Sequence, residues 1–155
     1  MTTIHNILVV CLGNICRSPM AAGLLRQALP ECRVESAGLA PPVGAGADPR
    51  AVRLLSTEGC DLAAHRARAI DFQQIAAADL VLVMDSEQRT WLETHFPGAL
   101  GKTYRLCEHE QTDVPDPIGG SQSMFVIALG LIKLGVDSWS THVRAVAIDS
   151  RGETI

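Results

Sequence analysis

At 155 residues, with 47% hydrophobic and 19% charged side chains, the chain has the length and composition of one soluble globular domain, residues 1–155, with a real core. A formal net charge of −4 excludes a generic nucleic-acid binder. No apolar run reaches membrane-spanning length and the N-terminus carries no basic signal-like pattern, so a cytoplasmic protein without membrane insertion is expected.

Residues 4–10 predict a strand, ending in the apolar run Ile7-Leu8-Val9-Val10. A loop, Cys11-Leu12-Gly13-Asn14-Ile15-Cys16-Arg17, leads into a helix over 19–29, with Ser18 expected as N-cap and Pro19 at the first helical position. Residues 32–36 predict a second strand, ended by Ala37-Gly38. The Gly/Pro/Ala-rich stretch 39–47 has no helical period and reads as loop. Asp48-Pro49 opens a helix running to about 58, with Gly59 as its stop. An irregular connection is expected over 62–66, a short helix over 71–76 and a fully buried strand over 80–84. A helix follows over 86–95, then a short last strand over 102–106. A polar loop over 108–120 precedes a long helix over 121–136, a further helix from 139 toward 146 and a frayed tail. Strand–helix alternation of this kind predicts an α/β fold of three layers, α/β/α, around a mostly four-stranded parallel sheet. Ligands bind such sheets beyond the carboxyl ends of the strands, where Cys11 sits.

The loop after the first strand carries the chemistry. A cysteine and an arginine bracket five residues, and a hydroxyl follows, which is a layout for holding a phosphoryl group. The backbone N–H groups of Leu12, Gly13, Asn14, Ile15, Cys16 and Arg17 can curl into an anion nest, faced by the positive end of the next helix. Arg17, those amides and the helix end all favour a thiolate at Cys11. Arg17 offers two parallel donors to equatorial oxygens, a geometry lysine cannot copy. Ser18 is placed to donate to the Cys11 sulfur and make it a better leaving group. Asp116, stiffened between Pro115 and Pro117, is the candidate general acid and then base. Asp113 nearby reads as solvated.

The stretch 6–22 resembles the opening motif of the low-molecular-weight protein tyrosine phosphatases, and the resemblance continues through Val34-Glu35-Ser36-Ala37-Gly38, Gly46-Ala47-Asp48-Pro49-Arg50-Ala51, His65-Arg66-Ala67-Arg68, Leu82-Val83-Met84-Asp85 and Val114-Pro115-Asp116-Pro117. It covers essentially the whole chain and looks most like bacterial members acting beside exopolysaccharide tyrosine kinases. The resemblance implies a cysteine-dependent hydrolysis of phosphotyrosine or aryl phosphate esters, with Cys11, Arg17 and Asp116 catalytic and no metal or cofactor. It implies a phosphotyrosine protein as partner, with a bacterial tyrosine kinase as the leading guess, and a monomer or weak dimer. Asn14, Ser36 and His65 match a supporting hydrogen-bond network, and Asn14 tolerates the left-handed backbone a tight loop needs. Asp85 matches a further position near the site, and reads equally as a helix N-cap. Cys16 is implied to form a reversible disulfide with Cys11, its alternative being a small packing residue. Cys32, Cys60 and Cys107 read as packing residues, and His5, His95, His109 and His142 as surface, without metal spacing.

The chain departs from the family at the pocket wall. Neither the loop after Gly38 nor Ile118-Gly119 after the acid carries the aromatic residue usual there, which removes ring stacking and leaves Leu39, Pro42 and Ile118 as an aliphatic slot. The Gly119-Gly120 pair predicts a mobile acid loop. Three other readings remain open. An arsenate reductase would need relay cysteines, of which Cys107 is a lone candidate. A phosphopeptide-binding module would lack the nucleophile or the acid. A small-molecule aryl or acyl phosphatase differs only in substrate.

Overall fold

The computed structural model describes residues 3–150. Its sheet has the strand order β2-β1-β3-β4, all pairs parallel, from β1 (Asn6–Cys11), β2 (Arg33–Gly38), β3 (Leu80–Val83) and β4 (Thr103–Arg105). The helices are α1 (Arg17–Ala28), α2 (Pro49–Thr57), α3 (Phe72–Ala77), α4 (Ser86–His95) and α5 (Gln122–Ser150), with one turn of 3-10 helix at Pro97–Ala99.

Alternation along β1 creates the three layers. Ile7 and Val9 point into a core with Met20, Leu25, Leu55, Phe125 and Ile132, from α1, α2 and α5. Leu8 and Val10 point the opposite way, onto Ile75, Leu92 and Phe96, beneath α3 and α4. The expected α/β/α architecture is therefore present. With β2 on one side of β1 and β3 on the other, the chain reverses direction across the sheet between β1 and β3. Loops diverging there leave a crevice above the strand ends.

Two helix expectations need correction. The first helix begins at Arg17, with Cys16 as N-cap and no side-chain cap bond, because the Ser18 hydroxyl is engaged elsewhere. The expected break between 136 and 139 does not occur, and α5 runs unbroken. Gly135, in mid-helix, is a contact point: a Cβ there would lie 2.7 Å from the Leu106 carbonyl oxygen. The Ser140 and Thr141 hydroxyls turn back onto the Val136 and Asp137 carbonyls, so the polar run stays helical. By length and composition the stretch Gln122–Ala147 is also apolar enough to cross a membrane, at a mean hydropathy of 1.3, contrary to the sequence expectation. Here its Phe125, Ala128, Ile132, Val136 and Val143 are buried in the core. The tail expected to fray after about 146 is instead helical as far as Ser150, and residues 151–155 lie outside the described residues.

Candidate active site

Every element of the site enters from the carboxyl end of a strand. β1 delivers Cys11, paired in register with Gly38 of β2. Gly38 is needed for this approach, since a Cβ there would lie 2.9 Å from the Leu12 carbonyl oxygen and 3.0 Å from Asn14 Cβ. The carbonyls of Cys11, Leu12 and Ile15 accept from the amides of Leu39, Ala40 and Asp48. Among the described residues, the N–H groups of Leu12, Gly13, Ile15 and Cys16 donate to nothing. A run of unpaired donors above the thiol is what an anion nest requires.

Asn14 holds the loop in shape. It is wholly buried, at φ +54°. Its side-chain amide donates to Ser18 Oγ (2.8 Å) and Ser36 Oγ (3.0 Å), and its Oδ1 accepts from the Arg68 amide (3.0 Å). Its own N–H donates to Cys11 Sγ (3.2 Å), and its carbonyl accepts from His65 Nε2 (2.6 Å). A carbonyl only accepts, so His65 carries its proton on Nε2 in this bond. The Arg68 contribution is not legible in sequence, because it comes from a main-chain N–H. Asn14→Ala leaves the Arg68 amide and the buried Ser36 hydroxyl without their partner, takes a donor from Ser18 and puts alanine in a left-handed conformation. Urea unfolding is expected to register a loss of about 3 kcal/mol, and turnover of the folded fraction to fall about tenfold through loss of loop geometry. A variant as stable as the wild type would contradict this role.

Burial holds the His65 pKa below the ordinary 6.5; the Asn14 bond opposes this, while nearby Arg26, Arg66 and Arg68 add to it. The neutral imidazole is therefore the folded form, and the unfolded chain binds a proton more readily. Stability from this residue is present above about pH 6.5 and lost as pH falls below it. Between about pH 7.5 and about pH 5.5 the wild type is expected to lose more urea stability than His65→Gln, which keeps an N–H for Asn14. Equal losses would refute the assignment.

Ser18 faces Cys11 rather than capping the helix. Its Oγ lies 3.0 Å from Cys11 Sγ and accepts from Asn14, which leaves its own hydrogen for the sulfur. Cys16 lies in the same loop, directly before Arg17. Burial, and then the neighbouring Cys11, Asp48 and Asp116, push its thiol far above the ordinary range, with Arg17 opposing. Cys16 is thus held as a thiol. Both loop cysteines are free thiols here.

Arg17 is 4% exposed and is gripped from two further loops. Its Nη1 donates to the Val114 carbonyl (2.8 Å) and lies 3.8 Å from Asp85 Oδ2, while Nη2 lies 3.7 Å from Asp116 Oδ2. Asp85 holds both roles the sequence offered: its Oδ1 caps α4 through the Gln88 amide (2.8 Å) as its Oδ2 faces Arg17. Asp116 Oδ1 accepts from the Ile118 amide (3.0 Å), and Gly120 is tied back to the Pro117 carbonyl. Arg50 reaches across from α2 to the Gly120 carbonyl (2.9 Å) with its guanidinium over the Phe125 ring, so the acid loop has a brace. Asp113 is exposed, as expected of a solvated side chain, and also accepts from Arg105 Nη1 (3.1 Å) and the Ser86 amide (3.3 Å).

Above these groups opens a cavity of about 410 Å³, lined by Leu12, Arg17, Leu39, Ala40, Asp85, Glu87, Gln88, Trp91 and Asp116. Leu39 lies in the wall as expected, whereas Pro42 and Ile118 are not among the lining residues. The wall also contains an aromatic ring, Trp91, that sequence reading missed. The resemblance places the family's aromatic residues on two loops, whereas Trp91 arrives from α4.

This arrangement has close counterparts. The family described as low molecular weight phosphotyrosine protein phosphatase matches residues 6–147. The chain belongs to that family. It is accordingly a protein-tyrosine-phosphatase, a phosphoric monoester hydrolase. It is 45% identical over 143 residues to the probable low molecular weight protein-tyrosine-phosphatase EpsP of Ralstonia nicotianae, covering 92% of this chain and 99% of that protein. Among solved structures, Vibrio vulnificus Wzb in complex with benzylphosphonate superposes with a TM-score of 0.86 at 33% identity, covering 90% of this chain and 99% of that one. The YwlE arginine phosphatase from Geobacillus stearothermophilus superposes with a TM-score of 0.87 at 33% identity, covering 94% of this chain and 96% of that one. The structural neighbours of this phosphatase thus include one described as an arginine phosphatase.

Proposed function

We propose that this phosphatase hydrolyses phosphotyrosine in cytoplasmic proteins through a phosphocysteine at Cys11. The observation that carries the reading is convergence. Cys11 Sγ sits beneath unpaired amides with Ser18 Oγ at 3.0 Å, while Arg17 and, through it, Asp116 close the site from another loop. In the first step the Cys11 sulfur forms a bond to phosphorus as the P–O bond to the aryl group breaks. Asp116 gives its proton to the departing phenolate oxygen. Arg17 and the amides of residues 12–17 hold the three equatorial oxygens, whose charge is the main thing to stabilise in this chemistry. In the second step water attacks phosphorus, Asp116 takes its proton, and the P–S bond breaks. The Ser18 hydroxyl donates to the departing sulfur. Cys16, held protonated, does not compete as nucleophile; when a peroxide oxidises the Cys11 thiolate to a sulfenic acid, the Cys16 sulfur would attack it, forming the S–S bond as the S–O bond breaks and water leaves, a reversible cap against over-oxidation.

By resemblance to bacterial members, the proposed protein substrate is a tyrosine kinase of exopolysaccharide synthesis. A second substrate, phosphoarginine, is favoured by the likeness to the arginine phosphatase and by the carboxylates of Asp85 and Glu87 on the cavity wall, which suit a guanidinium. A reductase relay finds no support, because Cys107 is buried with its thiol donating to the Leu131 carbonyl. The test is turnover of p-nitrophenyl phosphate with EDTA and reductant, followed by matched peptides carrying phosphotyrosine, phosphoserine or phosphoarginine. Hydrolysis that ignores EDTA and prefers phosphotyrosine is expected. No turnover by the reduced protein, or preference for phosphoarginine, would overturn the reading.

A further inference from the structure

We propose that Trp91 is the aromatic wall against which the aryl group of the substrate stacks, which makes it a specificity-determining residue. The inference rests on the function proposed above.

Its position follows from how α4 starts. Asp85 caps the helix and faces Arg17, and Gln88 Oε1 accepts from the Met84 amide (2.9 Å), so the first turn of α4 is fixed to the catalytic arginine and to the end of β3. Side chains on a helix lean toward its N-terminus, over the residues three and four positions earlier. For Trp91 those are Gln88 and Glu87, and both line the cavity above Arg17 with it. The indole is therefore carried toward the phosphate loop rather than away from it.

The ring is also held. His95, one turn further on, stacks on the indole with centroids 4.0 Å apart and planes within 16°. Its Nδ1 donates to the Trp91 carbonyl (2.8 Å), which fixes the imidazole as a backing plate. Phe96 approaches at 6.3 Å between centroids, tilted 48°. So supported, Trp91 remains 38% exposed, and it shares the cavity lining with Leu12, Leu39 and Ala40. A large, rigid, half-open ring in one cavity with the catalytic arginine and aliphatic side chains suits a flat apolar group. The two loops that lack aromatic residues leave this as the one ring among the described residues lining the cavity.

The experiment measures dissociation constants of phenylphosphonate and of inorganic phosphate for wild type, Trp91→Ala, Trp91→Leu and Trp91→Phe. Phosphate reads the loop alone, and phenylphosphonate adds a ring. The preference for phenylphosphonate over phosphate is expected to fall about tenfold in Trp91→Ala and nearly as far in Trp91→Leu, while Trp91→Phe retains most of it. Phenylphosphonate is further expected to alter tryptophan emission in the wild type and not in Trp91→Phe. An unchanged preference in Trp91→Ala, or full rescue by leucine, would overturn the stacking role while leaving the phosphatase reading intact. An effect seen with phosphopeptides but not with phenylphosphonate would overturn it too, by moving Trp91 onto a neighbouring peptide residue. A wild type that binds neither probe would overturn the parent reading and this inference together.

Discussion

Cys11→Ser is expected to bind phosphate and to turn over p-nitrophenyl phosphate at least ~10⁴-fold more slowly than the wild type. The substitution keeps the loop, because the atom it changes is held by the Asn14 amide and the Ser18 hydroxyl, and both can bond an oxygen as well as a sulfur. What it removes is the nucleophile and the leaving group of the second step at once. An alkoxide is far harder to form than a thiolate, and it leaves phosphorus far less readily. Steady-state rates measured alongside phosphate affinity separate the two consequences. A variant that loses phosphate binding along with turnover would indicate collapse of the loop, and one that retains turnover would remove Cys11 from the reaction.

Asp116→Asn is expected to lower kcat on phenyl phosphate by ~10²–10³-fold, and by distinctly less on p-nitrophenyl phosphate. Asparagine can still accept the Ile118 amide that Asp116 Oδ1 accepts at 3.0 Å, so the turn persists. It has no acidic proton to give. Phenolate is a poor leaving group and needs that proton, whereas nitrophenolate carries its charge on the ring and departs more easily. The leaving-group dependence should therefore be steeper in the variant than in the wild type. A deficit equal on both substrates would point to lost positioning of Arg17, whose Nη2 lies 3.7 Å from Asp116 Oδ2, and away from proton transfer.

Much of this site was legible because its parts are contiguous. The apolar run into Cys11, the spacing to Arg17 and the Asp48-Pro49 helix start are local signals, and each stands where the local physics puts it. The end of α1 that holds the loop was less so. Ser18-Pro19 is a good helix opening by composition, yet the hydroxyl serves Cys11 and Asn14, since those buried partners need it more than a helix end open to the nest does. Gly135 lies inside the expected helix, and what its sequence does not show is that it lets α5 press against the Leu106 carbonyl. The Arg68 amide and Trp91 had no sequence signal at all. One acts through its main chain, and the other depends on the angle at which α4 leaves β3. Asp113 is solvated as read, and only its pairing with Arg105 was hidden, because the register of the last strand is not legible in sequence.

The proposed mechanism passes through a covalent phosphoenzyme at Cys11. Rapid-quench sampling during turnover of p-nitrophenyl phosphate, with mass analysis of the peptide that contains the phosphate loop, tests it most directly. The peptide is expected to carry one phosphoryl group on Cys11 while substrate lasts and to lose it when substrate is exhausted. A loop peptide that stays unmodified throughout turnover, or a phosphoryl group on any other residue, would contradict it.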